Sequence, residues 1–253
     1  MATRRANHQA AIQRRAQDAV IIKYERRIAR EIARAMRDAV TRYYAGDIAV
    51  PLDVARNAHA MRLNAILTDM WREGGEAMAG AIPLLKRAHG RHEVKDFFTA
   101  PNATAAAANF ARLYGGQRIT EISDTTIADV TRVIADGVET GLDERAIARM
   151  VRAVAPIKSA SRAQTIARTE TAAAASYTAQ AIAELGGITM IRRWVSAENE
   201  RTRTAHSDAD GQERGMHEPF SVGGELLMYP GDPTGSAANV INCRCQVVFD
   251  LPE

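Results

Sequence analysis

Both cysteines of this sequence lie near its end, in the stretch "NVINCRC" at residues 239–245. One residue separates Cys243 from Cys245, and the tail before them contains two histidines, His206 and His217. Two thiolates and two imidazoles are a ligand set that zinc accepts, although structural zinc sites more often use wider cysteine spacing. These four residues therefore form a candidate zinc site.

The cysteine pair is also open to other interpretations. A catalytic cysteine needs a base and an electropositive cleft, and His206 is the base that the tail offers. A disulfide between such near neighbours would be strained. In the interpretation that we favour, Cys243 ends a turn and Cys245 begins the last strand, and both pack as small buried side chains.

A second group of side chains with chemical potential lies in "RTAHSDADGQ". His206 with Asp208 and Asp210 has the groups to bind a hard metal ion or to act as acid and base. Asp and Gly are also typical turn residues, and the spacing matches neither an EF-hand loop nor a HExxH helix. A metal-dependent nuclease or hydrolase, using His206 with these carboxylates or with the cysteine pair, is thus the alternative function.

The elements that would position these residues are mostly helical. Helical spacing of apolar residues and the absence of Gly and Pro predict a first helix from about Asn7 to Ala45. Gly115 and Pro156 are expected helix ends, and Asp143 is an expected N-cap. The further helices are predicted over residues 52–86, 99–115, 123–141, 143–156 and 159–186.

The character of the chain changes at Gly187. The stretch "ITMIRRWVSA" is rich in β-branched and aromatic residues and predicts a strand, and turn signals then separate short apolar pieces. The expected fold is mainly α, an elongated multi-helix body followed by a small α+β domain. We predict a basic helical arm at residues 1–46, a helical body at 47–186 and the small domain at 187–253.

Charge is distributed unevenly along the sequence. Residues 1–46 carry eleven Arg and Lys side chains against four acidic ones, a net charge of +7, whereas the whole chain has +3. Such an arm is suited to nucleic acid or to an acidic protein surface. The candidate DNA- or portal-binding residues are Arg4, Arg5, Arg14, Arg15, Lys23, Arg26, Arg27, Arg30, Arg34 and Arg37.

Neither a membrane-spanning segment nor a secretory signal is expected from the hydropathy pattern. Two cysteines cannot form the disulfide framework of a small secreted scaffold, so synthesis in a cytoplasm is expected.

An ordered series of motifs covers residues 108–250. It runs from "ARTE" through a Trp-containing strand, "RTRTAH" with a downstream "DG", and "YPGDP" to "NCRC". In this order the motifs resemble the phage Mu F-like family of minor head proteins, also called head morphogenesis proteins. The motif residues are Arg168, Glu170, Trp194, Arg201, His206, Asp210, Tyr229, Asp232, Asn242 and Arg244.

The resemblance implies a virion component inside the head, near the portal vertex, that aids head assembly and DNA retention or delivery. Its implied partners are the portal protein, the major capsid or scaffolding protein, and double-stranded DNA. Some relatives carry a C-terminal toxin domain; we expect none in this chain, no enzymatic activity, and no cofactor besides the candidate zinc. We expect Asn242 and Arg244 to tie the NCRC turn to neighbours such as Asp210 or Asp232.

Overall fold

The computed structural model describes residues 2–44, 50–81, 99–185 and 189–250. Within them, four long helices precede a set of short strands and two short helices. The long helices are α1 (Ala2–Tyr44), α2 (Val50–Ala81), α3 (Ala100–Glu139) and α4 (Glu144–Leu185). The later elements are β1 (Ile191–Val195), α5 (Thr204–Asp208), β2 (Glu213–Gly215), β3 (Phe220–Val222), β4 (Glu225–Leu227), α6 (Ala237–Val240) and β5 (Gln246–Asp250). The expected fold class, mainly α with a small C-terminal part containing antiparallel strands, is confirmed.

Two of the expected helix ends are wrong. α3 continues through Gly115, and α4 continues through Pro156. A glycine inside a helix costs about 1 kcal/mol and a proline about 3 kcal/mol, and packing on both sides can exceed these costs. Around Pro156, for example, Ala155 and Ala163 are fully buried. The expected ends at Gly46, Lys86 and Gly186 lie outside the described residues.

The turn between α3 and α4 follows the local sequence. Gly141 has a φ of +71°, a conformation that glycine adopts at little cost. The backbone N–H of Ala146 then donates to Oδ1 of Asp143 at 2.7 Å. This bond confirms Asp143 as the N-cap of α4.

The strands form two small antiparallel groups. One sheet has the order β2–β1–β5, in which Trp194 lies opposite Val247. β3 and β4 form a separate hairpin, with Phe220 opposite Leu227. The strands bury an apolar core together with α2 and α4. Its members are Met78, Ala175, Ala179, Ala183, Met190, Trp194, Ala209, Phe220, Val222, Leu227, Cys243, Cys245, Val247 and Phe249.

The chain divides into two compact units. The terminal unit contains Met1–Ile21, Asp69–Arg112 and Arg168–Glu253, and the helical unit contains Ile22–Thr68 and Leu113–Ala167. The candidate functional residues of the tail thus share a unit with the first 21 residues. Among the described residues, no helix combines the length and the apolar character needed to cross a membrane.

A buried thiol and imidazole cluster as the candidate functional site

His206 and the two cysteines come together in the terminal unit. His206 lies on the short helix α5. The cysteines follow α6, where the Cys243 N–H donates to the Val240 carbonyl at 3.2 Å. Asn242 has a φ of +59°, a left-handed conformation that Asn tolerates better than most residues. This turn directs the chain into β5, and β5 begins directly after Cys245.

The three side chains converge on one point. His206 Nδ1 lies 3.3 Å from the Cys245 sulfur and 3.6 Å from the Cys243 sulfur. All three potential ligand atoms lie within 4.8 Å of one another. Each residue is at most 3% exposed, and both cysteines are free. Two thiols and one imidazole in this arrangement are a ligand set for a soft metal ion.

The two thiols titrate as a pair. Their mutual hydrogen bond lowers the pKa of Cys243 to about 5; burial opposes this shift and His206 reinforces it. The same hydrogen bond, together with burial and the charge of Cys243, raises the pKa of Cys245. The two shifts have opposite directions because the thiols share this hydrogen bond, so they are a property of the pair.

Aromatic rings surround the cluster. The Trp194 ring lies 5.8 Å from the His206 ring, edge to face, and 5.5 Å from the Phe220 ring. The second ring nitrogen of His206, Nε2, is buried without a hydrogen-bond partner in the described structure. The site is thus enclosed by apolar side chains, in which an unbalanced charge is costly.

The other candidate ligands are placed elsewhere. The side chain of His217 is 83% exposed, and its Nδ1 lies 3.7 Å from Glu184 Oε1. Asp208 is exposed, and Asp210 accepts a hydrogen bond from the Ser196 N–H at 2.6 Å. Of the described residues, the structure groups only the two cysteines with His206 as potential metal ligands.

The NCRC turn is held by the ARTE motif of α4. Arg168 Nη1 donates to Asn242 Oδ1 at 3.1 Å, and the Asn242 N–H donates to Thr169 Oγ1 at 3.0 Å. Asp210 and Asp232 were the expected anchors of Asn242. Asp210 instead accepts from the Ser196 N–H, and Asp232 accepts from Met228 and Thr234. The turn packs on α4, and the hydrogen bonds of Asn242 given above are with Arg168 and Thr169 of that helix.

Asp232 of the YPGDP motif closes its own turn. It accepts hydrogen bonds from the backbone N–H groups of Met228 and Thr234, at 2.8 and 2.9 Å, and from the Thr234 hydroxyl at 2.7 Å. Gly231 has a φ of +81°, and a Cβ there would lie 3.2 Å from the backbone of Ala173 on α4. This glycine therefore permits both the turn and its close contact with the helix.

The remaining motif residues have varied positions. Tyr229 is buried, with its ring 6.2 Å from that of Tyr177, and Glu170 is buried on α4. Arg201 is exposed, and its backbone N–H donates to Asn199 Oδ1 in a turn. Arg244 is half-buried between the two cysteines.

Sequence reasoning missed Arg192, which is fully buried. Its guanidinium donates to the carbonyls of Gly215, Met228 and Glu218 and to Oε1 of Gln180. Burial lowers the pKa of Arg192 to about 10, against the opposing effects of Glu184 and Glu218. The alternation of side chains along a strand could have predicted this burial. Arg192 and Trp194 are two residues apart, so they lie on the same face of β1.

The start of α1 packs on the sheet of the tail. Ala6 and Ala10 form an apolar cluster with Val195 and Val248. Two turns further along α1, the buried side-chain amides of Gln17 and Gln246 each donate to the other's oxygen at 3.1 Å.

Arg14 also faces the tail. Its Nη1 donates to the Ser196 carbonyl at 3.5 Å. Burial lowers the pKa of Arg14, whereas the nearby Cys245, Glu198 and Asp18 oppose this effect. Arg14 is therefore committed to contacts inside the terminal unit.

The other basic residues of α1 are more accessible. Arg27 and Lys23 lie over the Tyr24 ring, 5.0 and 5.4 Å from its centroid. The side chain of Arg34 is 59% exposed and lies 3.7 Å from Asp38. The exposed members of the predicted set are Arg4, Arg5, Arg15, Lys23, Arg26, Arg30, Arg34 and Arg37.

The part of the chain that carries most of the motif series matches a known protein family. Residues 128–248 match the model of the family described as phage Mu protein F like protein. This stretch belongs to the phage Mu protein F-like family. Membership confirms the resemblance carried by the motifs and supports a role in phage head morphogenesis.

A curated relative shares part of the chain. It is the NAD(+)–arginine ADP-ribosyltransferase EFV of Enterococcus faecalis, which is 31% identical over 137 residues. The aligned stretch covers 52% of this chain and 27% of that protein. The chain thus matches about a quarter of the relative, and the transferase activity is a property of the relative. No solved structure matches this chain significantly.

Proposed function

We propose that this chain is a minor head protein of the virion that docks on the portal vertex inside the head and contacts packaged DNA. Membership of residues 128–248 in the Mu F-like family supports the head role. The observation that carries the DNA contact is a row of exposed arginines on α1. In this role the protein aids head assembly and the retention or delivery of DNA.

The row consists of Arg26, Arg30, Arg34 and Arg37. These residues are spaced by four, four and three positions, so they lie on one face of α1, and all four are exposed. At 1.5 Å per residue they span about 16 Å, comparable to several phosphates along a DNA duplex. Contacts to phosphate position a protein on DNA without reading its sequence, as expected for a protein beside packaged DNA.

We further propose that the role is structural rather than catalytic. His206, the base of the alternative hydrolase, is buried against two thiols, and Asp208 is exposed away from that cluster. A hydrolase using His206 and Asp208 would need both side chains at one accessible position. Assay of the purified protein on duplex DNA with Mg²⁺, Mn²⁺ or Zn²⁺ tests this: turnover that His206→Gln abolishes in a folded protein would establish the enzyme instead.

The DNA contact is tested by the salt dependence of binding to a duplex. Replacing Arg26, Arg30, Arg34 and Arg37 together by Gln removes up to four phosphate contacts, so the slope of log Kobs against log salt should become shallower by about 3 to 4. A variant with the same change of charge serves as the matched control. It replaces four exposed arginines of the later helices, Arg132, Arg145, Arg149 and Arg152. If both variants change the slope equally, or neither does, the row on α1 is not the DNA contact.

Docking is tested by co-purification with the portal protein of the same phage at low and moderate salt, followed by electron microscopy. Extra density on the portal ring at both salt concentrations is the expected result. If no complex forms at low salt or at moderate salt, docking is ruled out.

A further inference from the structure

From the geometry of the buried cluster we propose that Cys243, Cys245 and His206 bind one zinc ion, which fastens α5 to the NCRC turn. This site goes beyond the proposed head function and does not depend on it. The proposal rests on three observations: the spacing of the three atoms, the chemistry of the buried ligand set, and the low intrinsic stability of the short helix that carries His206.

The spacing is that of a zinc site. In a tetrahedral centre with Zn–S of about 2.3 Å and Zn–N of about 2.0 Å, nitrogen and sulfur ligands lie about 3.6 Å apart. The distances from His206 Nδ1 to the two sulfurs are 3.3 and 3.6 Å. With all three ligand atoms within 4.8 Å of one another, a single zinc ion can contact the imidazole and both sulfurs.

The chemistry of the pocket also favours a cation. Cys243 and Cys245 belong to a core of apolar side chains, and the Trp194 ring of that core lies 5.8 Å from the His206 ring. Thiolates and a neutral imidazole are ligands that zinc binds readily in proteins. Two thiolates offset the double positive charge of Zn²⁺, and the imidazole binds it as a neutral ligand.

A metal crosslink would stabilise the short helix α5, which carries His206. α5 has five residues, and its N-cap residue Arg203 makes no side-chain capping bond. A single short turn has little stability of its own. His206 is 39 residues from Cys245 in sequence, so a metal at this point closes a long loop.

Three protein ligands leave one coordination position. In the part of the chain that the structure describes, no fourth His, Cys, Asp or Glu joins the group. We assign the fourth position to water or another non-protein ligand. His217, the fourth ligand expected from sequence, is exposed beside Glu184 and serves as a matched control for His206.

The first test is metal content. The full chain, expressed with zinc in the medium and purified under reducing conditions with a tag that lacks histidine, should carry about one zinc per chain. Cys243→Ser, Cys245→Ser and His206→Gln should each lose most of this zinc, whereas His217→Gln should retain it. Equal loss in His206→Gln and His217→Gln would overturn the ligand set.

A second measurement avoids variants that fail to fold. Wild-type protein stripped of metal with a chelator is titrated with Co²⁺ and followed by absorption. Thiolate-to-cobalt charge-transfer bands and intense tetrahedral d–d bands, saturating at one equivalent, are the expected result. A wild-type protein that carries no zinc and gives neither set of bands with Co²⁺ would overturn the proposal.

Discussion

Arg192 shows how one residue can join several segments. The same guanidinium contacts carbonyls on β2 and on two loops, and it lies 5.1 Å from the centroid of the Phe220 ring. Buried arginine is tolerated only where its donors are satisfied, and here backbone carbonyls and the Gln180 amide oxygen accept from it. The residue is therefore a structural tie at the centre of the small C-terminal part.

We predict that Arg192→Met destabilises the protein by about 3 kcal/mol or more, because four acceptors around a fully buried side chain would lose their donor. Urea unfolding measures the change as a shift of the midpoint. Arg193 pairs with the exposed Glu213, so Arg193→Met is the control and should cost about 1 kcal/mol or less. Equal losses in both variants would contradict the role assigned to Arg192.

At the scale of elements, α2 and α4 approach closely because glycines face the neighbouring helix. A Cβ on Gly75 would lie 2.8 Å from Thr178 Oγ1 and 3.4 Å from Ala107 Cβ. A Cβ on Gly80 would meet nothing within 4 Å, and Gly80 is exposed. A side chain at position 75 would therefore clash with α4, whereas α2 has room for one at position 80.

Gly75→Ala should destabilise the protein by about 1–3 kcal/mol, because Thr178 is short and fully buried and has no room to move away. Gly80→Ala should stabilise it by about 0.5–1 kcal/mol through the lower entropy of the unfolded chain. Thermal unfolding of the two variants should therefore shift in opposite directions. A rise in Tm for both would mean that the helices are not in close contact at Gly75.

α1 and α2 are joined in the helical unit by a buried carboxylate. Glu31 lies 3.1 Å from His59 Nδ1 and 2.7 Å from Arg62 Nε. Burial raises the pKa of Glu31, but hydrogen bonds from His59 and Arg62 and the charge of Arg62 outweigh it, so the pKa lies below its usual value.

A lowered pKa makes the contribution of Glu31 depend on pH. Its stabilisation is fully present above the unfolded pKa, near 4.5, and is lost as pH falls through the lower folded pKa. We expect the unfolding free energy of Glu31→Gln to fall less steeply than that of the wild type below about pH 4.5. Glu25→Gln on the same helix is the control. Parallel curves for wild type and Glu31→Gln would exclude this contribution.

At the scale of the whole molecule, the first residues and the last strand belong to one unit. Ala6 and Ala10 are buried against Val195 and Val248, so the start of α1 covers one part of the sheet. The basic character of residues 1–46 did not predict this packing, because the face of α1 that is buried at its start consists of alanine and glutamine. Gln9, Gln13 and Gln17 lie one turn apart and are all buried.

The packing of α1 on the sheet predicts a contrast between two alanines. Ala10→Asp places a charge in a fully buried position and should cost more than about 3 kcal/mol. Ala19→Asp, on the exposed face of the same helix, should change stability by about 0.5 kcal/mol or less. Chemical unfolding compares them, and a harmless Ala10→Asp would show that this end of α1 is free of the sheet.

The sequence by itself determined the features that depend on local interactions. Helical periodicity predicted α1, α2 and the helical character of the segments that form α3 and α4. Asp143 predicted the start of α4, and β-branched and aromatic residues predicted β1. The order of the motifs identified the family. Each of these signals is contained within one element or in the linear order of segments.

Only the tertiary structure decided which distant segments meet. It placed His206 against cysteines 37 and 39 residues away, and Arg168 against Asn242. It also let α3 and α4 continue through Gly115 and Pro156, because burial along a helix outweighs a local cost of a few kcal/mol. Contacts of this kind depend on how whole elements pack, and the local pattern of residues does not contain that information.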